Sequence, residues 1–226
     1  MEFVRGEQWS RNLLKLEGAL RRDASAAAGS DRAMLLRFAD QAHAKAAIAA
    51  MPCASGPLWL GQEHRCSWLG SGFSAAGPLA SANPLALRGK PWAQDIFTPM
   101  EFPYEEGVWR GPLMVLVDGA TESSAEEFAA VLQDNHAALI IGTVTFGAGC
   151  GHTDGSEPTR LRYSGATLAL PDCVYLRANG TNEVRGIVPD LLIGFRRSDS
   201  LKHRSADVLT RLPEALREAS DLAHRP

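Results

Sequence analysis

Hydrophobic and polar positions along the chain fall into three textures. From about Trp9 to Arg22, Leu13, Leu14, Leu16 and Leu20 recur at near-helical spacing, and Asp31 to Met51 continues as an alanine-rich helical run. Between Pro52 and Pro103 the periodicity gives way to glycine, proline, serine and tryptophan, including Trp59, Trp68 and Trp92. Short apolar stretches such as Pro57-Leu58-Trp59-Leu60 read there as edge strands. From Gly111 the third texture begins. Leu113-Met114-Val115-Leu116-Val117 is a short branched run closed by Asp118-Gly119, the pattern of a buried strand ending in a turn.

A helix is expected next. Thr121 or Ser123 can cap it, Glu126 and Glu127 suit its first turn, and Phe128, Val131 and Leu132 supply an apolar face. Ala138-Leu139-Ile140-Ile141-Gly142 is a second apolar strand. Strand, helix, strand in this order predicts a parallel pair joined by a crossover. Beyond Ile193 a charged segment leads into a short amphipathic run through Val208, Leu209, Leu212 and Leu216, which reads as a C-terminal helix that Pro213 interrupts or in which it opens a second turn. The domain division expected is a helical and loop-rich region over 1–105 and an α/β core over 106–226.

Composition bounds the chemistry. The 226 residues are 45% hydrophobic and 22% charged with a formal net charge of -3, so one good core is expected and no basic surface invites nucleic acid. Arg196, Arg197, Lys202 and Arg204 read as a solvated face. The apolar runs are too short to span a membrane, and the first residues lack the charged-then-apolar pattern of a signal peptide. Four cysteines, Cys53, Cys66, Cys150 and Cys173, show neither a C-x-x-C pair nor zinc-ligand spacing, so no metal is expected. Cys53 and Cys66 suit either a disulfide or buried thiols, and Cys150 reads as a small packing residue.

The candidate chemistry lies at the predicted helix start. Ser123 falls where unpaired backbone N–H groups and the helix dipole favour an alkoxide or an oxyanion. The succession of strand, Gly turn, Thr121-Glu122-Ser123-Ser124-Ala125-Glu126, Gln133-Asp134, second strand and Thr145-Phe146-Gly147-Ala148-Gly149 resembles the tail-specific, C-terminal-processing serine peptidases. The likeness runs on through Ala166–Pro171, which is similar to a late strand of that family, to Gly186-Ile187-Val188-Pro189-Asp190.

This resemblance implies a ClpP/crotonase-like fold, Ser123 as nucleophile with Glu126 as its landmark, the Ser124 N–H as an oxyanion donor, and a peptide or protein substrate without a cofactor. Asp134 falls where the family commonly has an aspartate. Two departures matter. Where the processing proteases carry a lysine base, this sequence has Ala148, whose methyl group takes no proton. The sequence is thereby closer to the branch of tricorn core, nisin-resistance and interphotoreceptor retinoid-binding proteins, whose enzymes use a histidine. His64 and His152 are the candidate bases; His43, His136, His203 and His224 are poorer ones. The family's Asp-Leu-Arg-x-Asn-x-Gly-Gly segment, which gives the second oxyanion donor, has no match, and neither has a peptide-binding PDZ signature. A serine peptidase and an inactive relative binding a peptide or apolar ligand in the same cleft both fit. Relatives are often exported, and neither the compartment nor the oligomeric state is legible.

Overall fold

The structure is a computed structural model and describes residues 2–3, 6–52, 54, 56–60, 62, 84–97, 100, 105, 107–151, 158–169, 173–194 and 198–224. It divides into two compact units, one of Met1–Pro57, His64–Glu106 and His152–Val174, the other of Leu58–Glu63, Gly107–Gly151 and Tyr175–Pro226. Among the described residues no helix is long and apolar enough to cross a membrane.

In the first unit a short strand β1 (Glu2–Phe3) precedes two long helices, α1 (Gly6–Ala26) and α2 (Gly29–Ala49), followed by single-turn helices α3 (Pro84–Leu87) and α4 (Ala93–Ile96). A two-residue connection at Ala27-Ala28 folds α1 back on α2 as a helical hairpin. Alanines at 24, 39, 42, 46 and 49 are all buried, while Leu20, Leu35, Phe38, Leu87, Trp92 and Ile96 fill the core between helices and short turns. Trp92 meets Phe38 edge to face, with ring centroids 6.3 Å apart. Trp92 thus belongs to a small core.

The second unit holds the sheet. Strand β2 (Met114–Val117) leads through helix α5 (Ser124–Asp134) to β3 (Leu139–Gly142). Three short strands follow: β4 (Thr159–Arg160) and β5 (Thr167–Leu168) pair antiparallel, and β6 (Cys173–Val174) pairs antiparallel with β1, all within the first unit. The chain then returns to the second unit for β7 (Leu191–Leu192) and the long helix α6 (Leu201–Ala223). The sheet order is β2-β3-β7, all parallel, with Met114 opposite Leu139 and Ile141 opposite Leu191. This is the expected α/β core, and α5 is the crossover.

Burial explains the order. All four residues of β3 are buried, as the central strand of a sheet covered on both faces requires. Ile140 packs with Val117, Ala129, Ala130 and Ile187 on the α5 side, and its neighbours Leu139 and Ile141 pack with Leu191, Ile193, Ala215 and Ala219 on the α6 side. Successive side chains on one strand therefore divide between two helix layers.

Three local expectations change. Gly56–Leu60 is a 3-10 turn rather than an edge strand, consistent with Pro57, whose fixed φ suits a turn and whose missing N–H weakens a ladder. On α5, Phe128 and Val131 are exposed, and Ala129, Ala130 and Leu132 face the sheet. On α6, Leu209 and Leu216 are exposed and small Ala215 and Ala219 make the contact, with Pro213 retained inside one continuous helix. Small side chains let both helices approach the sheet closely, and periodicity weighted by hydrophobicity undervalues them.

One glycine fixes how the second unit closes. Gly186, with φ of 84°, lies against the loop after β3, and a Cβ there would come within 2.3 Å of the Thr145 carbonyl oxygen. We expect Gly186→Ala to cost about 2–5 kcal/mol, from backbone strain plus overpacking. Urea denaturation checks this, and a loss below about 1 kcal/mol would show that the loop yields freely.

Candidate active site

A turn delivers the chain from β2 to α5. The Asp118 carbonyl oxygen accepts from the Thr121 N–H at 2.9 Å, the Asp118 carboxylate accepts from the Ala120 N–H at 2.9 Å, and the Thr121 hydroxyl accepts from the Asp118 N–H at 3.0 Å. Thr121 therefore closes the turn, and Ser123 takes the N-cap. Ser123 is exposed and holds φ of 55° and ψ of -123°, a conformation that costs a non-glycine residue on the order of 1–3 kcal/mol. A strained turn between a strand and a helix is also how a nucleophilic serine is lifted clear of a sheet.

Glu126 holds that conformation in place. Its side chain is fully buried. Its Oε2 accepts from the Ser123 N–H at 3.1 Å and the Ala148 N–H at 2.8 Å. Its Oε1 accepts from the Thr145 hydroxyl at 2.5 Å and the Gly147 N–H at 2.6 Å. One carboxylate thus binds the candidate nucleophile to the Thr-Phe-Gly-Ala-Gly loop. Thr145 extends the link, since its hydroxyl accepts from the Ile187 N–H at 2.7 Å. Ala148 meets Glu126 through its backbone and brings no proton acceptor of its own.

The far end of α5 has a second anchor. Arg177 Nε and Nη2 donate to the Asp134 carboxylate at 2.7–3.1 Å, Nη1 donates to Glu183 at 2.8 Å, and Nη2 also donates to Gln133 Oε1 at 2.8 Å. Burial raises the Asp134 pKa, but hydrogen bonds from Arg177 and the Ala178 N–H outweigh it and hold the carboxyl below its ordinary range. Asp134 is structural in this arrangement. Asp190 works similarly, accepting from the Ile140 N–H at 2.8 Å and from Gln133 Nε2 at 2.9 Å. The Pro189-Asp190 pair therefore satisfies an amide of the central strand.

Of the sequence-derived site residues, the structure brings Ser123 and Ser124 together at the N-terminus of α5, and among the described residues no acceptor faces the Ser124 N–H. His64 and His152 lie outside the described residues. His136 follows α5 at the opposite end from Ser123, about 16 Å away along an eleven-residue helix. His43 is 2.8 Å from Glu17 on the helical hairpin, and His224 Nδ1 faces the Ser220 carbonyl oxygen. His203 lies 3.5 Å from Asp207 on α6, beside Asp199, a trio at a spacing a cation could use. Cys150 is disulfide-bonded rather than a free packing thiol.

Tyr175 and Glu183 were missed by the sequence reading. Tyr175 is 7% exposed and lies near Ser123, Ser124 and the Glu126 and Glu127 carboxylates. Burial, together with the Glu127 and Glu126 carboxylates, raises its pKa against the opposing pull of the Ser123 and Ser124 hydroxyls. Nothing local in Cys173-Val174-Tyr175-Leu176 signals such a contact.

An exposed serine on a strained helix start is tied by a buried glutamate to a glycine loop. Residues 78–193, just over half of the chain, match peptidase family S41, and the chain belongs to that family. It is 37% identical over 83 residues to a carboxy-terminal-processing protease of Bartonella bacilliformis, a stretch covering 36% of this chain and 18% of that protein. Among solved structures, mature CPAF aligns with a TM-score of 0.40 at 26% identity over 50% of this chain and 21% of that one. Mature CPAF complexed with lactacystin gives 0.39 at 25% identity over 54% and 22%. The chain spans about a fifth of the length of these relatives.

Two outcomes follow from this geometry. Glu126→Gln places an NH2 donor among four donors, and we expect it to destabilise the fold by about 2–4 kcal/mol, the cost of mispaired buried polar groups; equilibrium unfolding measures it, and a neutral result would contradict the four-donor cage. Because the Asp134 carboxyl is lowered, its stabilising contribution is present above the unfolded value of about 3.9 and is lost as pH falls through the lower folded value. Asp134→Asn should therefore cost about 1–3 kcal/mol at pH 7 and progressively less below about pH 4, read from unfolding midpoints across pH.

Proposed function

We propose that this protein is a serine-type peptidase acting through an acyl-enzyme on Ser123, with a histidine in place of the family's lysine. The observation that carries the reading is the exposed Ser123 at the strained start of α5, held through its N–H by buried Glu126. A serine held in a conformation of that cost by a dedicated buried carboxylate fits a nucleophile better than an ordinary helix cap. Ser123 Oγ bonds to the carbonyl carbon and its proton passes to an imidazole. The carbonyl π electrons move to oxygen and return as the C–N bond breaks, the imidazolium giving its proton to the departing amine. Water then releases the acyl group by the same route. The Ser124 N–H is a backbone donor for the oxyanion, and His64 and His152 are the candidate bases.

Ala148 supports a second reading. With only a methyl group at the lysine position, the cleft would hold a peptide or an apolar ligand without chemistry. Fluorophosphonate labelling separates the two. For a peptidase, the protein labels, Ser123→Ala abolishes labelling and Ser124→Ala retains most of it; equal labelling of wild type and the Ser123 variant would exclude this nucleophile.

The labelling rate should also climb between about pH 5.5 and 7.5 as a histidine near its ordinary pKa of about 6.5 loses its proton. Loss of that inflection in His64→Ala or in His152→Ala assigns the base. A folded wild-type protein unlabelled at every pH would replace the peptidase with the binding protein.

A further inference from the structure

Chelation of a cation requires donor atoms that converge, and in the second unit three do. Asp199, His203 and Asp207 each present one ligand atom, a carboxylate oxygen or an imidazole nitrogen, and all three atoms lie within 4.8 Å of one another. We propose that they form a binding site for one divalent transition-metal ion of the zinc class, an assignment independent of which residue is the nucleophile.

The start of α6 dictates the arrangement. His203 and Asp207 are four residues apart and so share one face of the helix, with His203 Nε2 3.5 Å from Asp207 Oδ2. Were the helix to continue backwards, Asp199 would lie about 12 Å from Asp207 along its axis. It does not, because the helix begins after it. Ser200 is the N-cap, extended at φ of -66° and ψ of 156°, and its hydroxyl accepts from the His203 N–H at 3.3 Å. The chain turns there, and the Asp199 carboxylate comes back over the first turns. Asp199 and Asp207 are half-buried, and two carboxylates held this close repel each other unless a cation stands between them. Ligands at about 2.0–2.2 Å from one ion stand roughly 3–3.5 Å apart, so modest side-chain rotations close the trio.

The donor set selects the ion. Mg²⁺ and Ca²⁺ prefer oxygen alone and soft ions prefer sulfur, whereas one imidazole nitrogen with two carboxylates suits Zn²⁺, Mn²⁺ or Co²⁺. The imidazole separates this trio from a patch of surface acid. All three residues line a cavity of about 580 Å³, together with Leu192, Gly194 and Arg211. Leu192 ends β7, so the cavity opens at the carboxyl edge of the parallel strands, where open α/β sheets bind ligands. Arg211 is ion-paired with Glu214 at 3.0 Å, which offsets its charge. A bound ion would join Asp199, outside the helix, to two turns within it, and so fix the start of the helix whose Ala215 and Ala219 pack on the sheet. No cysteine takes part, which is why cysteine spacing gives no sign of the site.

Calorimetric titration of the wild type with Zn²⁺ should show one ion bound per chain, with Mg²⁺ bound at least about tenfold more weakly. Asp199→Asn, Asp207→Asn and His203→Gln should each weaken Zn²⁺ by more than about tenfold, since even outer-shell partners of a metal are worth about 10–100-fold. The three side chains are exposed or half-buried, so circular dichroism should show the variants still helical. A second readout needs only the wild type. Of its six histidine rings, that of His203 should be the first to lose its NMR signals to paramagnetic Co²⁺. Another ring broadening first overturns the assignment, whether or not a variant folds. Unchanged Zn²⁺ affinity in the His203 variant overturns it too, as does Mg²⁺ bound as tightly as Zn²⁺, the mark of an acidic surface only. Wild type that takes up no Zn²⁺ removes the site outright. None of these results bears on Ser123, whose labelling is a separate measurement.

Discussion

Burying a carboxylate is unfavourable by several kcal/mol unless its oxygens find donors, and Glu126 finds four from two separate stretches of chain. The Ser123 N–H, the Thr145 hydroxyl, and the Gly147 and Ala148 N–H groups all converge on it, and Thr145 passes the constraint on to Ile187. The loop after β3, the start of α5 and the Gly186-Ile187 segment therefore cannot move independently. The exposed serine inherits its position from a side chain no solvent reaches. The position of a surface serine is set here by electrostatics in the interior.

The same logic recurs around the unit. Arg177 joins Asp134, Gln133 and Glu183, and Asp190 satisfies the amide of Ile140 in the central strand. Charged groups at these positions are tied to irregular backbone that a short three-stranded sheet cannot organise alone. Apolar burial holds the layers together, with Ile140 facing one helix and Leu139 and Ile141 the other. Directional bonds then set where the loops lie. The division matters for function, because hydrophobic contact tolerates sliding by an ångström and an acyl-transfer site does not.

Ala148 bears on how the site is distributed. Where the processing proteases carry a lysine, the loop that Glu126 anchors here has Ala148. A histidine contributed by a different part of the chain would place the proton acceptor on an element whose position the Glu126 cage does not govern. Chemistry would then depend on how that element meets the serine.

The sequence by itself determined the α/β class, the β2-α5-β3 order and the serine at the helix start. These are local signals, since branched runs, turn residues and the Ser123-to-Glu126 spacing act over a few positions. It misjudged which faces of α5 and α6 are covered, because buried alanine is barely apolar and exposed Phe128, Val131, Leu209 and Leu216 are strongly so. Only tertiary structure could tie the Thr145–Ala148 loop to Glu126, join Arg177 to Asp134, or aim Asp190 at Ile140. Such contacts depend on how the strands register and where the loops return, and a hydroxyl or guanidinium carries no local pattern that announces its distant partner.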